Sequence, residues 1–134
     1  MRLIIATRNP GKLQEFRELL ADAAAAGLEI VGAAEVPGVP EIPEDGATLE
    51  ENALQKAIGV HAATGDWALA DDSGVEVEAL GGQPGVDSAA YAGPQRDPEA
   101  NNRKLLDALG GSPNRRARFR CVLALAGPGF PPAT

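Results

Sequence analysis

The chain opens with an apolar stretch, a polar loop and an amphipathic stretch in succession. The apolar run over residues 2–6 predicts a β-strand, and residues 7–12 form the polar loop. Apolar side chains then recur at helical spacing at positions 13, 16, 19 and 20, which predicts a helix over residues 12–26. Gly27 is suited to end that helix, because glycine readily adopts the left-handed conformation found after many helices.

The same periodicities continue downstream. Residues 28–31 predict a second strand, and the three prolines between positions 37 and 43 predict an irregular loop. A Thr-x-x-Glu capping pattern begins a predicted helix over residues 48–64, and an Asp-Pro pair begins another over residues 97–108. Residues 116–125 alternate between apolar and polar side chains, which predicts a strand with one buried face.

A stretch of small and apolar residues over 67–71 predicts a buried central strand. Two adjacent carboxylates, Asp71 and Asp72, come at the end of this strand. Ser73 and Gly74 follow, and we expect them to turn the chain back. The alternation over residues 75–80 then predicts another strand with one face in water.

Two features of the C-terminal region lead to further expectations. The alternation places Phe119, Cys121 and Leu123 on the apolar face of the last predicted strand, so Cys121 is interpreted as a small buried apolar residue rather than a nucleophile. Residues 127–134 are rich in glycine and proline, and we expect no regular element there.

Strands that alternate with helices predict an α/β fold. We expect a long, twisted, mixed β-sheet flanked by helices, with an active-site cleft at the strand ends. A length of 134 residues fits a single domain with its own core.

Composition excludes several classes of protein. The chain is 44% hydrophobic and 23% charged, and none of its apolar runs approaches the roughly 20 residues of a membrane helix. A single cysteine excludes an intramolecular disulfide. With only one cysteine and one histidine in the chain, a zinc site is implausible. With no cleavable leader at its start, the sequence predicts a cytoplasmic protein without a membrane partner.

The charge distribution argues against nucleic-acid binding. The formal net charge is −7, and sixteen of the nineteen acidic residues precede Arg96. Repulsion between this acidic body and a polyanion would oppose association. Isolated cations on an acidic body suit a small anion chelated to a metal better than a polynucleotide.

The adjacent aspartates are the first candidate for chemistry. Successive side chains of a strand point to opposite faces, so only Asp71 or Asp72 can face a given cleft. Carboxylates at the end of an apolar strand are costly unless a cation or hydrogen-bond donors stabilise them, and Mg²⁺ is the natural candidate. The alternative is that Asp-Asp-Ser-Gly is only a polar turn between two strands.

The loop before the first helix is the second candidate. A strand, a short polar loop and a helix place free backbone N–H groups and the positive end of a helix dipole beside Thr7, Asn9 and Lys12. That arrangement binds phosphate, although the loop lacks the second glycine and the hydroxyl residue of a Walker A motif. The alternative is a simple strand-to-helix turn with Lys12 in water.

Four blocks of residues, which together cover nearly the whole chain, carry a family resemblance. The blocks are Ala6-Thr-Arg-Asn-Pro-Gly-Lys12; Glu44-Asp-Gly-Ala-Thr-Leu-Glu-Glu-Asn-Ala53 with Lys56-Ala57; Ala70-Asp-Asp-Ser-Gly74 with Leu80-Gly-Gly-Gln-Pro-Gly85 and Ser88-Ala-Ala-Tyr-Ala-Gly93; and Arg118-Phe-Arg-Cys-Val-Leu123. In order and spacing they resemble the inosine triphosphate pyrophosphatase family. Members of that family hydrolyse nonstandard purine nucleoside triphosphates (ITP, dITP and XTP) to the monophosphate and pyrophosphate with Mg²⁺.

The resemblance implies a role for particular residues. Glu44 and Asp72 would hold the metal, and Asp72 would be the catalytic residue that accepts the proton of the attacking water. A carboxylate bound to a metal is a weak base, so we interpret this role as orienting the water. Asp71 is either a second metal ligand or a structural partner. The residues implied to contact the substrate are Thr7, Arg8, Asn9, Pro10, Gly11, Lys12, Lys56 and Ser73.

The chain departs from the family pattern in two ways. Members are usually longer, and their C-terminal part, which selects the base, has no match here. We therefore expect a fragment of a longer protein; the alternative is an impaired or divergent member. Ala90 also replaces an arginine that relatives usually carry. A homodimer is expected from the resemblance. The alternatives are a Maf-type nucleotide pyrophosphatase and a nucleotide- or phosphate-binding module without turnover.

Overall fold

The structure is a computed structural model that describes residues 1–134. The chain divides into two compact units. The first comprises Met1–Gly46, Glu50–Asp71 and Leu123–Thr134, and the second comprises Ala47–Leu49 and Asp72–Val122. None of the helices is long and apolar enough to cross a membrane.

Five strands form a single mixed sheet. They are β1 Arg2–Ile5, β2 Glu29–Gly32, β3 Trp67–Val77, β4 Ala117–Gly127 and β5 Phe130–Ala133. Their order across the sheet is β2-β1-β3-β4-β5. β1 pairs in parallel with β2 and with β3, whereas β5 is antiparallel to β4. The predicted α/β class with a mixed sheet is confirmed.

Four α-helices accompany the sheet: α1 Pro10–Leu19, α2 Ala21–Ala25, α3 Leu49–Thr64 and α4 Pro98–Leu109. The helices predicted over residues 48–64 and 97–108 are confirmed to within one residue. The helix predicted over residues 12–26 is broken at Leu20, whose φ of −104° and ψ of 18° are not helical. The chain resumes a helix as α2, which buries none of its side chains.

The core of the first unit forms around β1. Ile4 and Ile5 are almost fully buried, and β1 lies between two other strands of the sheet. Leu3, Ile5 and Ile30 form a cluster with Leu13 of α1. Burial of each such side chain contributes about 1.5–3 kcal/mol, and the cluster thereby fixes α1, and the loop that precedes it, against the sheet.

The predicted turn at Ser73 and Gly74 is wrong. β3 runs through both residues without a break, and residues 78–80 form a short 3-10 helix rather than the end of a second strand. A Cβ on Gly74 would overlap the main-chain carbonyl of Gly85. Glycine is therefore required at position 74 because another backbone segment approaches closely, which is a known role of glycine within a strand.

The C-terminal expectations are also corrected. Residues 130–133 form the edge strand β5, and the ring of Phe130 packs against that of Trp67 with centroids 5.5 Å apart. Cys121 is exposed rather than buried, and Phe119 is 84% exposed. Alternation along a strand identifies a common face, but it does not show whether another layer covers that face.

Candidate functional site

The loop after β1 leads directly into the N-terminus of α1. Asn9 is the N-cap, and its side-chain oxygen accepts hydrogen bonds from the backbone N–H groups of Gly11 at 2.8 Å and Lys12 at 3.4 Å. Thr7 Oγ1 accepts a hydrogen bond from the N–H of Asn9 at 3.1 Å. Pro10 occupies the first turn, where the missing N–H costs nothing. The first turn carries no acidic residue, so the positive end of the helix dipole favours an anion.

Arg8 has a contact that the sequence pattern does not indicate. Its Nη2 donates a hydrogen bond to the main-chain carbonyl of Val39 at 2.7 Å. Val39 is buried and belongs to the proline-rich loop. The guanidinium of Arg8 therefore joins the two loops of the first unit, whereas its predicted contact with substrate remains a prediction.

Lys12 and Asp71 form an ion pair. The Lys12 ammonium lies 2.7 Å from Asp71 Oδ2, and the side chain of Asp71 is only 9% exposed. A carboxylate buried to this degree needs a cation or several donors, and Lys12 satisfies that need. Asp71 is thus the ion-pair partner of Lys12, and the choice between the two roles considered for it stays a prediction.

Lys56 of α3 also contacts Asp71, but at its main-chain carbonyl rather than its carboxylate. Its ammonium donates a hydrogen bond to the Asp71 carbonyl and lies 2.6 Å from Glu44 Oε1. The side chain of Lys56 is 13% exposed and that of Glu44 is 33% exposed. Two lysines and two carboxylates thus meet in the first unit, beside the positive end of α1 through Lys12.

Asp72 and Ser73 belong to the second unit and lie in the middle of β3. Asp71 is buried and Asp72 is partly exposed, as expected for neighbours on opposite faces of a strand. Asp72 therefore follows directly after the residue that holds Lys12 and Lys56. The sharing of one metal ion by Glu44 and Asp72 remains a prediction.

Ser73 lines a cavity of about 380 Å³ within the second unit. Tyr91 and Phe119 contribute aromatic surface to the same cavity. The Lys104 ammonium lies 4.3 Å from the centroid of the Tyr91 ring and donates a hydrogen bond to the Tyr91 carbonyl at 2.7 Å. Ser73 thus borders a space large enough for a small molecule.

The acidic side chains suit Mg²⁺ better than a metal enclosed by protein ligands. The structure contains no group of three or more His, Cys, Asp or Glu side chains that could hold a metal ion. Mg²⁺ usually binds one or two carboxylates and completes its coordination with water and substrate phosphates. Glu44, a partly exposed carboxylate on a loop, has the oxygen donors and the access that this mode of binding requires.

Comparison with known proteins gives consistent matches. The model of the Ham1 family matches residues 3–133. A dITP/XTP pyrophosphatase of Desulforamulus reducens is 51% identical over 130 residues, which cover 96% of this chain and 63% of the relative. A dITP/XTP pyrophosphatase of Bacillus subtilis is 48% identical over 128 residues, which cover 94% of this chain and 63% of the relative. This chain thus spans less than two thirds of the length of these relatives.

Solved structures match as well. The Staphylococcus aureus Ham1 protein superposes with a TM-score of 0.88 at 38% identity, over 99% of this chain and 67% of that protein. A Mycobacterium abscessus nucleoside-triphosphatase, also named dITP/XTP pyrophosphatase, superposes with a TM-score of 0.83 at 41% identity, over 99% of this chain and 69% of that protein. The mixed sheet and its helices are therefore shared with these structures.

Proposed function

This chain belongs to the Ham1 family, and on that premise we propose that it hydrolyses nonstandard purine nucleoside triphosphates with Mg²⁺. The products are the nucleoside monophosphate and pyrophosphate. Relatives named dITP/XTP pyrophosphatase support this substrate class. The observation that carries the proposal is the convergence of Lys12 and Lys56 on Asp71, which provides two ammonium groups for a polyphosphate.

The reaction requires one bond to form and one to break. The oxygen of a water molecule attacks the α-phosphorus, and the bond from this phosphorus to the oxygen shared with the β-phosphorus breaks. Pyrophosphate leaves with that oxygen, and the water gives up a proton. Negative charge accumulates on the phosphate oxygens during this step, so fixed cations and N–H donors accelerate it.

The triphosphate binds at the start of α1 in this proposal. The positive end of the helix dipole attracts the phosphate oxygens, while Thr7 and Asn9 accept hydrogen bonds from N–H groups of the loop and the first turn and keep the loop in its conformation. Lys12 adds a full positive charge at the same end of the helix. Asp71 holds the Lys12 ammonium in place, which limits the entropy that the lysine loses when phosphate binds.

Glu44 and Asp72 are the proposed metal ligands. Bound Mg²⁺ would supply positive charge that offsets the charge developing on the phosphate oxygens. Asp72 orients the attacking water toward the α-phosphorus and is the proposed catalytic residue. Lys56 is placed beside Glu44 and donates to a substrate phosphate, and Ser73 donates its hydroxyl to another.

The proposal is tested by measuring pyrophosphate release. The protein is incubated with ITP, dITP, XTP, ATP or GTP in the presence of Mg²⁺. We expect pyrophosphate release from ITP, dITP and XTP, and no release in excess EDTA. Absence of pyrophosphate with every substrate would overturn the proposal.

The same assay, extended to thymidine and uridine triphosphates and combined with a nucleotide-binding measurement, distinguishes the alternatives. A preference for thymidine or uridine triphosphate would favour a Maf-type pyrophosphatase. Nucleotide binding without pyrophosphate release would favour a binding module, which is the alternative suggested by Ala90 and by the length of the chain relative to the relatives. A homodimer in the cytoplasm is the setting that we propose for the enzyme.

A further inference from the structure

Three consecutive loop residues, Glu44 to Gly46, are each held by a different side chain of α3. All three contacts are 2.6–2.7 Å long, and all come from residues within about one turn of the same helix. The contacts are Lys56 Nζ to Glu44 Oε1, Gln55 Nε2 to Asp45 Oδ1, and the backbone N–H of Gly46 to Asn52 Oδ1.

The loop itself contains no regular secondary structure. Residues 36–48 contain neither helix nor strand, so the main chain around Glu44 makes no ladder or helical hydrogen bonds. Fixing such a segment costs conformational entropy of about 1–2 kcal/mol per residue. The position of the Glu44 carboxylate therefore depends on contacts such as those from α3.

Two of the three contacts are unsuited to hold the loop during the reaction. In the proposed function Lys56 contacts phosphate and Glu44 contacts the metal, so their mutual ion pair is not available throughout the reaction. The bond from Gln55 to Asp45 is exposed to solvent, and exposed polar pairs contribute little. The hydrogen bond from the Gly46 N–H to Asn52 involves no group that contacts phosphate or metal in the proposed function.

Asn52 is built into the core. It is 3% exposed, and it is one of only two polar residues buried in the chain. A buried amide that lost its hydrogen bond would cost about 1–3 kcal/mol, so the bond to Gly46 is strongly favoured. Asn52 and Lys56 lie four residues apart, on the same face of α3.

The loop side of this contact is equally specific. A Cβ at position 46 would lie 2.7 Å from Asn52 Oδ1 and 2.7 Å from the Cβ of Glu51. Any side chain at this position would push the loop away from the helix. Glycine at 46 and asparagine at 52 thus form a matched pair that brings the loop backbone onto α3.

We propose that Asn52 is a positioning residue for Glu44. Its side-chain oxygen accepts a hydrogen bond from the N–H of Gly46, which fixes the main chain two residues beyond Glu44. The Glu44 carboxylate is thereby held where it binds a divalent cation. The inference rests on the proposed function, because it assigns Glu44 to the metal. Asn52 acts through the backbone and does not contact substrate or metal.

The test compares two variants that match asparagine in size. Asn52→Asp keeps an oxygen acceptor for the Gly46 N–H, and Asn52→Leu removes it. Binding of Mn²⁺ to the protein is measured from the electron paramagnetic resonance signal of free Mn²⁺. We expect Asn52→Leu to weaken binding by about tenfold or more and Asn52→Asp by no more than about threefold, as for other residues that orient metal ligands.

Val60→Ala controls for a general loss of stability. Val60 is buried on the same helix, two turns from Asn52, and its truncation should lower the Tm at unchanged Mn²⁺ affinity. Gly46→Ala tests the contact from the exposed loop, where failure to fold is not expected. It should weaken Mn²⁺ binding by about tenfold, like Asn52→Leu.

The outcomes separate the two proposals. Wild-type affinity for Mn²⁺ in both Asn52→Leu and Gly46→Ala would overturn the positioning role, even if Glu44→Gln abolishes binding. An equal loss of affinity in Val60→Ala and Gly46→Ala would also overturn it, since stability alone would then explain the effect. If Glu44→Gln leaves Mn²⁺ binding unchanged, the metal role of Glu44 in the proposed function fails instead.

Discussion

Asp71 is the residue that connects Lys12 and Lys56. Its carboxylate accepts a hydrogen bond from Lys12, and its main-chain carbonyl accepts one from Lys56. Asp71 itself is buried, so its charge depends on the Lys12 ammonium for compensation. Lys12 therefore contributes to stability as well as to the proposed phosphate binding.

Replacement of Lys12 tests both contributions. Lys12→Ala should raise the KM for ITP by about 10- to 100-fold and lower kcat less, because in the proposed function the lysine binds phosphate before the reaction begins. The free energy of unfolding in urea should fall by about 1–3 kcal/mol, since Asp71 loses its cation. Arg17→Ala, on the same helix, removes an exposed ion pair with Glu35 and should leave KM unchanged. An unchanged KM in Lys12→Ala would count against phosphate binding by the loop over residues 7–12.

The limits of prediction from sequence are clear at this scale. The cap formed by Thr7 and Asn9 was predictable as a loop at a helix N-terminus, because the residues involved are neighbours in sequence. The partner of Lys12 is 59 residues away, and that of Arg8 is 31 residues away. No local pattern indicates such pairs, which exist because the strands of the sheet bring distant segments together.

At the scale of elements, β3 shows how a local signal is overridden by the sheet. Ser-Gly after two aspartates is typical of a turn, yet the strand continues through it to Val77. Within the second unit, the N–H of Val75 donates a hydrogen bond to Ser88 Oγ, which in turn donates to the Gly85 carbonyl. The close approach of Gly85 to Gly74 explains why position 74 is glycine, although the chain does not turn there.

Substitution of two glycines tests this interpretation. Gly74→Ala should lower the free energy of unfolding by about 1–3 kcal/mol or more, because its Cβ would overlap the Gly85 carbonyl and the backbone must move. Gly111→Ala has no atom within 4 Å of the added Cβ and should change stability by less than about 0.5 kcal/mol. If both substitutions lower the free energy of unfolding equally in chemical denaturation, the close approach of Gly85 does not explain the glycine at position 74.

At the scale of the whole molecule, the hydrophobic pattern identified most elements but not which faces are covered. The alternation over β4 was read correctly as a strand, yet Phe119 and Cys121 are exposed. Burial of a face depends on which other segments pack on it, and periodicity along one strand does not contain that information. The edge strand β5 was missed because it contains two prolines, which argue against a strand except at a sheet edge. Position in the sheet, like burial, is not visible in the local sequence.

The exposure of Cys121 gives a direct prediction. Its thiol should react with a disulfide reagent such as dithionitrobenzoate in the native protein, at a rate within about tenfold of the unfolded chain, as exposed thiols do. The reaction is followed by absorbance with and without denaturant. Protection of the thiol until denaturant is added would contradict the exposure of this face.

The proposed function has this chain cleave a nucleoside triphosphate between the α- and β-phosphates, with Asp72 as the proposed catalytic residue. ³¹P NMR of a reaction with ITP and Mg²⁺ identifies the cleaved bond directly. We expect inosine monophosphate and pyrophosphate in equal amounts, and a kcat lower by at least about 10³-fold in Asp72→Asn at similar KM. Inosine diphosphate with inorganic phosphate as products, or full turnover by Asp72→Asn, would contradict the account.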